Sequence, residues 1–192
     1  MQKDYLRLLV LNCKRFKKEN KAIFDIVIYG SFTRGKKGLR DIDMMIIFRD
    51  TKLKERLEIA QRFKSEIKKK VDDLDVKTMN LDDFFDETLL ARQGVLIEGY
   101  SLVKNKPLAE LLGLNGYVIF TYNLKNLDHN KKTQFTYALS GRNTEGVLKS
   151  VKGVSLGRGA VQIPIENSEE FEEFLEKWGI EYSMKKALIS RA

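Results

Sequence analysis

A glycine-rich turn followed by two aspartates one residue apart marks residues 30–47, GSFTRGKKGLRDIDMMII. Upstream, Ile23, Phe24, Ile26, Val27, Ile28 and Tyr29 form an apolar, β-rich run that reads as a buried strand ending at Gly30 and Ser31. A strand that breaks on glycine and serine leaves backbone N–H groups unpaired, and these, with the serine hydroxyl, can hold phosphate oxygens. Residues 41–48 read as a second buried strand, and a period of two puts Asp41 and Asp43 on one face. Two carboxylates so placed repel each other unless a divalent cation sits between them, and hard oxygen ligands suit Mg²⁺ or Mn²⁺. Metal-assisted phosphate chemistry is the first expectation.

Each part alone has an ordinary structural explanation. Gly-Ser after a strand is a common turn signal, a strand-mouth aspartate can be solvated or cap a helix, and Lys36, Lys37 and Arg40 can be surface charge. Strand, Gly-Ser, Arg-Gly, short loop, Asp-x-Asp and apolar strand in that order form a far more specific pattern than any part.

Through Gly30, Ser31, Arg34, Gly35, Asp41 and Asp43, residues 26–48 resemble the signature of the DNA polymerase beta nucleotidyltransferase superfamily, in particular its minimal nucleotidyltransferase branch. The chain departs from that pattern at Thr33, where alanine is usual, and at Arg40, where serine or threonine usually precedes the first aspartate. Arg40 puts a cation beside the aspartates, either to meet a triphosphate or to compete with metal for the carboxylates. The resemblance implies an α/β or α+β nucleotidyltransferase fold, a mixed sheet flanked by helices, over residues 1–103. It also implies a third carboxylate on a neighbouring strand. Asp75 opens the alternating segment 75–80 and is the candidate, ahead of the turn residues Asp72 and Asp73.

In that family reading Asp41, Asp43 and Asp75 are the catalytic, metal-binding residues, and Gly30, Ser31, Arg34, Lys36 and Arg40 contact the nucleotide. The implied reaction moves a nucleoside monophosphate from a nucleoside triphosphate, ATP foremost, to an acceptor hydroxyl on a protein, an RNA or a small molecule, releasing pyrophosphate. Two alternatives stand beside it: a nonenzymatic nucleotide- or RNA-binding module, and an antitoxin-like regulator of a partner protein. His129 and Cys13 are the only members of their types, so a zinc site or cysteine-histidine chemistry is disfavoured. His129 follows Asp128 at an expected helix start, and Cys13 shares an apolar helical face with Tyr5, Leu6, Leu9, Val10 and Phe16.

The elements that must position these residues are readable in outline. Asp50 and Thr51 precede a helix whose apolar positions Leu53, Leu57, Ala60, Phe63, Ile67 and Val71 recur at helical spacing. A helix over residues 82–97, stopped by Gly99, and a strand at 100–103 complete the first domain. Residues 104–116, with Pro107 and two glycines, read as a linker. Beyond it, strands at 117–124, near 147–151 and 160–165, helices at 129–139 and 168–178, and a last apolar stretch to 189 suggest a small α+β accessory domain over 117–192 that binds acceptor or partner. Its aromatics Tyr122, Phe135 and Tyr137 are expected in the core.

The 192 residues, 43% hydrophobic and 32% charged, suffice for a real core in one or two domains. The sequence has no run of the roughly 20 apolar residues a membrane span needs, and its amino terminus is broken by charges, so no membrane partner is expected. One unpaired cysteine suits a reducing compartment, and cytoplasm is the expected location. Of the formal charge of +8, residues 1–105 carry +6 (23 Lys+Arg against 17 Asp+Glu) and residues 106–192 carry +2 (12 against 10). The basic excess therefore lies on the half with the aspartates, where a polyanion would bind.

Overall fold

The computed structural model describes residues 2–35, 42–68 and 74–191. Its contacts divide the chain into two units, residues 1–33 with 37–112 and residues 34–36 with 113–192.

The first unit is a mixed α/β layer structure. Helix α1 (Gln2–Glu19) leads into β1 (Ile23–Tyr29), a 3₁₀ turn (Gly30–Phe32) and β2 (Ile42–Phe48). Helix α2 (Leu53–Lys68), β3 (Leu74–Asn80), a 3₁₀ turn (Asp82–Phe85), α3 (Ala91–Glu98), β4 (Tyr100–Ser101), β5 (Lys106–Pro107) and α4 (Leu108–Leu111) follow. The strand order is β3-β2-β1-β4-β5; β1 pairs antiparallel with β2 and β4, and β2 pairs parallel with β3 across the α2 crossover.

Both faces of this sheet are covered, which is why β1 and β2 read as nearly continuous apolar runs rather than alternating ones. One face buries Ile26, Ile28, Met44 and Ile46 against Leu9, Cys13 and Phe16 of α1 and Ala60, Phe63 and Ile67 of α2. The other buries Val27, Tyr29, Met45, Ile47 and Met79 with Val95 of α3 and Leu108 of α4. Phe16 and Phe63 meet edge to face at 5.0 Å in the first of these cores.

The first unit differs from the sequence expectation in several details. Leu53 and Leu57 of α2 are exposed, because only the later turns of the helix reach the sheet. The expected helix over 82–97 is a 3₁₀ turn, a loop and the shorter α3. The Asp83 carboxylate accepts from the Asn80 amide and pairs with Arg56, while Asp86 is extended and accepts from the Thr88 amide and hydroxyl, an arrangement incompatible with continuous helix. Residues 104–116, expected as a linker, hold β5, α4 and the start of β6, and Leu108 and Ala109 are buried.

The second unit runs β6 (Leu114–Tyr122), α5 (His129–Ser140), α6 (Val147–Ser150), β7 (Val154–Gly157), β8 (Ala160–Pro164), α7 (Ser168–Lys177) and β9 (Tyr182–Ser190). The sheet order is β7-β8-β6-β9 with antiparallel pairing throughout, the split βαβ arrangement of ferredoxin-like domains. Where a strand was expected near 147–151 the chain forms the short helix α6, and the strand follows it. Asp128 caps α5 by accepting from the Lys131 amide at 2.8 Å, and His129 is its exposed first residue. Phe120, Tyr122, Phe135, Phe171, Phe174 and Trp178 join the helices to one sheet face through ring contacts of 5.1–6.3 Å. Tyr122 and Phe135 are thus core residues, whereas Tyr137 is exposed with Arg142 4.8 Å above its ring. Among the described residues, no helix is long and apolar enough to cross a membrane.

Candidate active site

The end of β1 sets the geometry of the site. Tyr29 is extended, and Gly30 then takes φ = +80°, a conformation open to glycine but strained for side-chain-bearing residues. The turn closes through the Thr33 amide and hydroxyl, which donate to the Gly30 carbonyl at 3.2 and 2.8 Å. Asp43 requires the same glycine a second time. A Cβ placed on residue 30 would lie 3.0 Å from Asp43 Oδ2, so the carboxylate occupies space that only the missing side chain leaves.

Sheet register brings the remaining groups together. Tyr29 on β1 is opposite Asp43 on β2, and Asp43 is opposite Asp75 on the parallel strand β3. Lys77, two residues beyond Asp75, shares its face and pairs with it, Nζ to Oδ2 3.1 Å. Tyr29, Asp43, Asp75 and Lys77 therefore form one cluster at a single end of the sheet, on the face packed by α3. Burial raises the Tyr29 phenol above its ordinary pKa, with Asp43 and Asp75 adding to the rise and the Lys77 ammonium, hydrogen-bonded to it, opposing. The Lys77 pKa is raised chiefly by its hydrogen bond to Asp75, then by Tyr29. Asp43 is half-buried and Asp75 exposed, so the cluster opens to solvent on the β3 side.

The expected site residues are distributed as follows. Gly30 and Ser31 form the turn, with Ser31 half-buried, and Asp43 and Asp75 stand on adjacent strands. Arg34 falls in the second unit, where its Nε lies 3.8 Å from Glu169 of the same unit. Lys36, Lys37, Arg40 and Asp41 lie outside the described residues, as do Asp72 and Asp73. Among the described residues no group of three metal-ligating side chains occurs. Asp43 and Asp75 nevertheless fit a hard divalent cation: both offer carboxylate oxygens from neighbouring strands, and Asp75 already carries a cationic partner in Lys77. Tyr29 and Lys77 were not singled out for the site from the sequence. Lys77 was accessible to it, since i and i+2 on a strand share a face; Tyr29 required the β1–β2 register.

A second buried carboxylate lies elsewhere on β1. Asp25 is fully buried and accepts from the Ser101 hydroxyl at 2.8 and 2.9 Å and from the Ile26 amide at 2.8 Å, with Lys104 at 3.9 Å. Burial raises its pKa, and these partners oppose the rise. They hold Asp25 as a fastening between β1 and β4.

Residues 12–99 match the family model described as Polymerase beta, Nucleotidyltransferase, and thus span α1 from its middle, β1 to β3 and α3. Two solved structures are similar to parts of this chain. One is a tri-AMPylated HEPN toxin of Shewanella oneidensis in complex with MNT antitoxin, 22% identical, covering 53% of this chain and 71% of that one with a TM-score of 0.34. The other is a variant of the MntA–HpeT toxin–antitoxin pair, 23% identical, covering 46% and 67% with a TM-score of 0.34. Comparison with curated proteins finds no significant match.

Proposed function

We propose that this chain transfers a nucleoside monophosphate from a nucleoside triphosphate to an acceptor hydroxyl. The observation that carries the reading is the placement of Asp43 between the Gly30 turn and Asp75. It supports a carboxylate pair directly beside a phosphate-holding turn, within residues that match the nucleotidyltransferase model. In the reaction the acceptor oxygen forms a bond to the α-phosphorus and the bond from that phosphorus to the β-bridging oxygen breaks. The acceptor proton passes to solvent or a carboxylate, and pyrophosphate leaves.

Asp41, Asp43 and Asp75 are the residues that would hold divalent cations, Mg²⁺ or Mn²⁺, which when bound neutralise phosphate charge and favour the ionised acceptor. The chain's own groups supply positioning. The amides of the Gly30 turn and the Ser31 hydroxyl receive the terminal phosphates. Lys77, paired with Asp75 on β3, lines the site on that strand, and Tyr29 walls it on the β1 side. Lys36 and Arg40 meet the triphosphate, with ATP the first nucleotide to test.

The test incubates the protein with each α-labelled triphosphate, Mg²⁺ or Mn²⁺, and either RNA or lysate protein, beside Asp43→Asn. Label transferred by the native chain and lost in a folded Asp43→Asn supports the reading. Equal transfer by both overturns the assignment of Asp43, and no transfer with any acceptor overturns the enzymatic reading.

A further inference from the structure

The sheet of the second unit has two unlike faces. Alternate residues Val118 and Phe120 of β6 and Val161 and Ile163 of β8 are buried, and Phe120 meets Phe171 of α7 at 5.1 Å, so α5 and α7 lie on that side. The residues between them point the other way, and the strand pairings join them into one surface. Tyr117 is opposite Ala187, Ile119 opposite Lys185 and Gln162, Thr121 opposite Ser183, and Asn115 opposite Ile189. No described helix of the second unit packs on this face.

The chemistry of the face is specific. At its centre Tyr117 and Ile119 are half-buried, offering a ring and an apolar neighbour. Around them stand hydroxyls and amides: Thr121 and Ser183 share a hydrogen bond at 2.7 Å, and Asn115 accepts from Arg191 Nε at 2.9 Å. Lys185 is exposed on the outer strand. None of the strand residues on this side carries a carboxylate. The second unit's acidic side chains are concentrated instead on α7, where Glu169, Glu170, Glu172, Glu173 and Glu176 lie in the opposite layer.

We infer that this open face of the β7-β8-β6-β9 sheet binds single-stranded RNA. A bare antiparallel sheet with an accessible ring receives an unstacked base, and cations at its margin follow the phosphates. Charge selects the occupant: the strand residues of this layer carry no carboxylate and include Lys185, with Arg191 just beyond β9, while the unit's largest group of carboxylates lies on α7 and Glu181 stands at one end beside Thr121 and Ser183. Hydroxyl and amide groups from Asn115, Thr121, Gln162 and Ser183 meet 2′-hydroxyls, which favours RNA over DNA. Such a site goes beyond the transfer reaction, since it requires neither nucleotide nor metal.

The test measures fluorescence anisotropy of a labelled oligouridylate of about twelve nucleotides with the full chain, without nucleoside triphosphate or divalent cation. Tyr117→Ala is expected to weaken binding at least about fivefold. Lys185→Gln, at an exposed position that leaves the fold intact should Tyr117→Ala unfold, is expected to lower the slope of log affinity against log salt by about 0.7. Lys132→Glu on α5 should bind as the native chain does. The proposal is overturned by absence of binding at low salt, by native affinity and salt slope in Lys185→Gln, by equal affinity for a DNA strand of the same length, or by light scattering that shows this face joining two copies. Because no triphosphate is present, these outcomes stand apart from success or failure of the transfer assay.

Discussion

The ammonium of Lys77 and the carboxylate of Asp75 stand 3.1 Å apart on one face of β3, with Tyr29 and Asp43 beside them. A side-chain cation thus already sits against a carboxylate proposed to hold metal. Both partners are about half exposed, so the pair is worth about 0.2–1 kcal/mol and acts as a competitor rather than a lock. Lys77→Met should lower the Mn²⁺ concentration for half-saturation, by up to about fivefold on that scale, as read by titration calorimetry. Weaker Mn²⁺ binding in the variant would mean that Lys77 orders Asp75 for the metal instead of competing with it.

Gly30 is constrained twice, by its φ of +80° and by the Asp43 oxygen that a Cβ would meet at 3.0 Å. Gly30→Ala is expected to cost about 1–2 kcal/mol in urea unfolding from the backbone conformation alone. It should also reduce transfer by far more than that loss of stability explains, because Asp43 must move. A variant that is destabilised but transfers at the native rate would detach the glycine from the site.

Asp25 makes stability depend on pH in a calculable direction. Its pKa is raised in the fold, chiefly by burial, so the folded state holds the proton more tightly than the unfolded chain does. The associated stability is full below the unfolded value of about 3.9 and is lost as pH rises through the folded value. In Asp25→Asn the side-chain oxygen still accepts from the Ile26 amide, but no charge is buried. The unfolding free energy of Asp25→Asn minus that of the native chain should therefore increase from pH 4 upward and then level off. A difference that falls with pH would mean the charged form is the one the fold favours.

In the first core, Phe63 is fully buried and meets Phe16 edge to face. Phe63→Ala should destabilise the protein by about 3–5 kcal/mol in denaturant titration. A loss under about 1 kcal/mol would mean that α2 contributes little to holding β2 and β3 together.

The strand, turn and strand around the site were legible because their signals are local: an apolar run, a glycine that must turn, and carboxylates at a period of two. The pairing of Asp43 with Asp75 was anticipated only through a family resemblance, since register between strands separated by a helix is a tertiary property. Residues 82–97 misled because their composition suits a helix, while Asp83 and Asp86 spend their carboxylates on backbone amides that a helix would need elsewhere. In the second unit the alternation along β6 told which residues share a face. It did not tell which face α5 and α7 would cover, and Tyr117, Ile119 and Lys185 acquire their interest from that choice alone.

The parallel pairing of β2 with β3 has a consequence for how the chain can change. Asp43 and Asp75 are separated in sequence by α2 but held by inter-strand hydrogen bonds, so their distance is set by the ladder rather than by the length of the crossover. Residues added at the exposed start of α2, before Ala60, Phe63 and Ile67, leave both carboxylates in their places. A slip of one residue in the β2–β3 ladder, by contrast, sends Asp75 and Lys77 to the α1–α2 side together. The site is therefore tolerant of insertion at the exposed start of its crossover and intolerant of the smallest sliding of one strand.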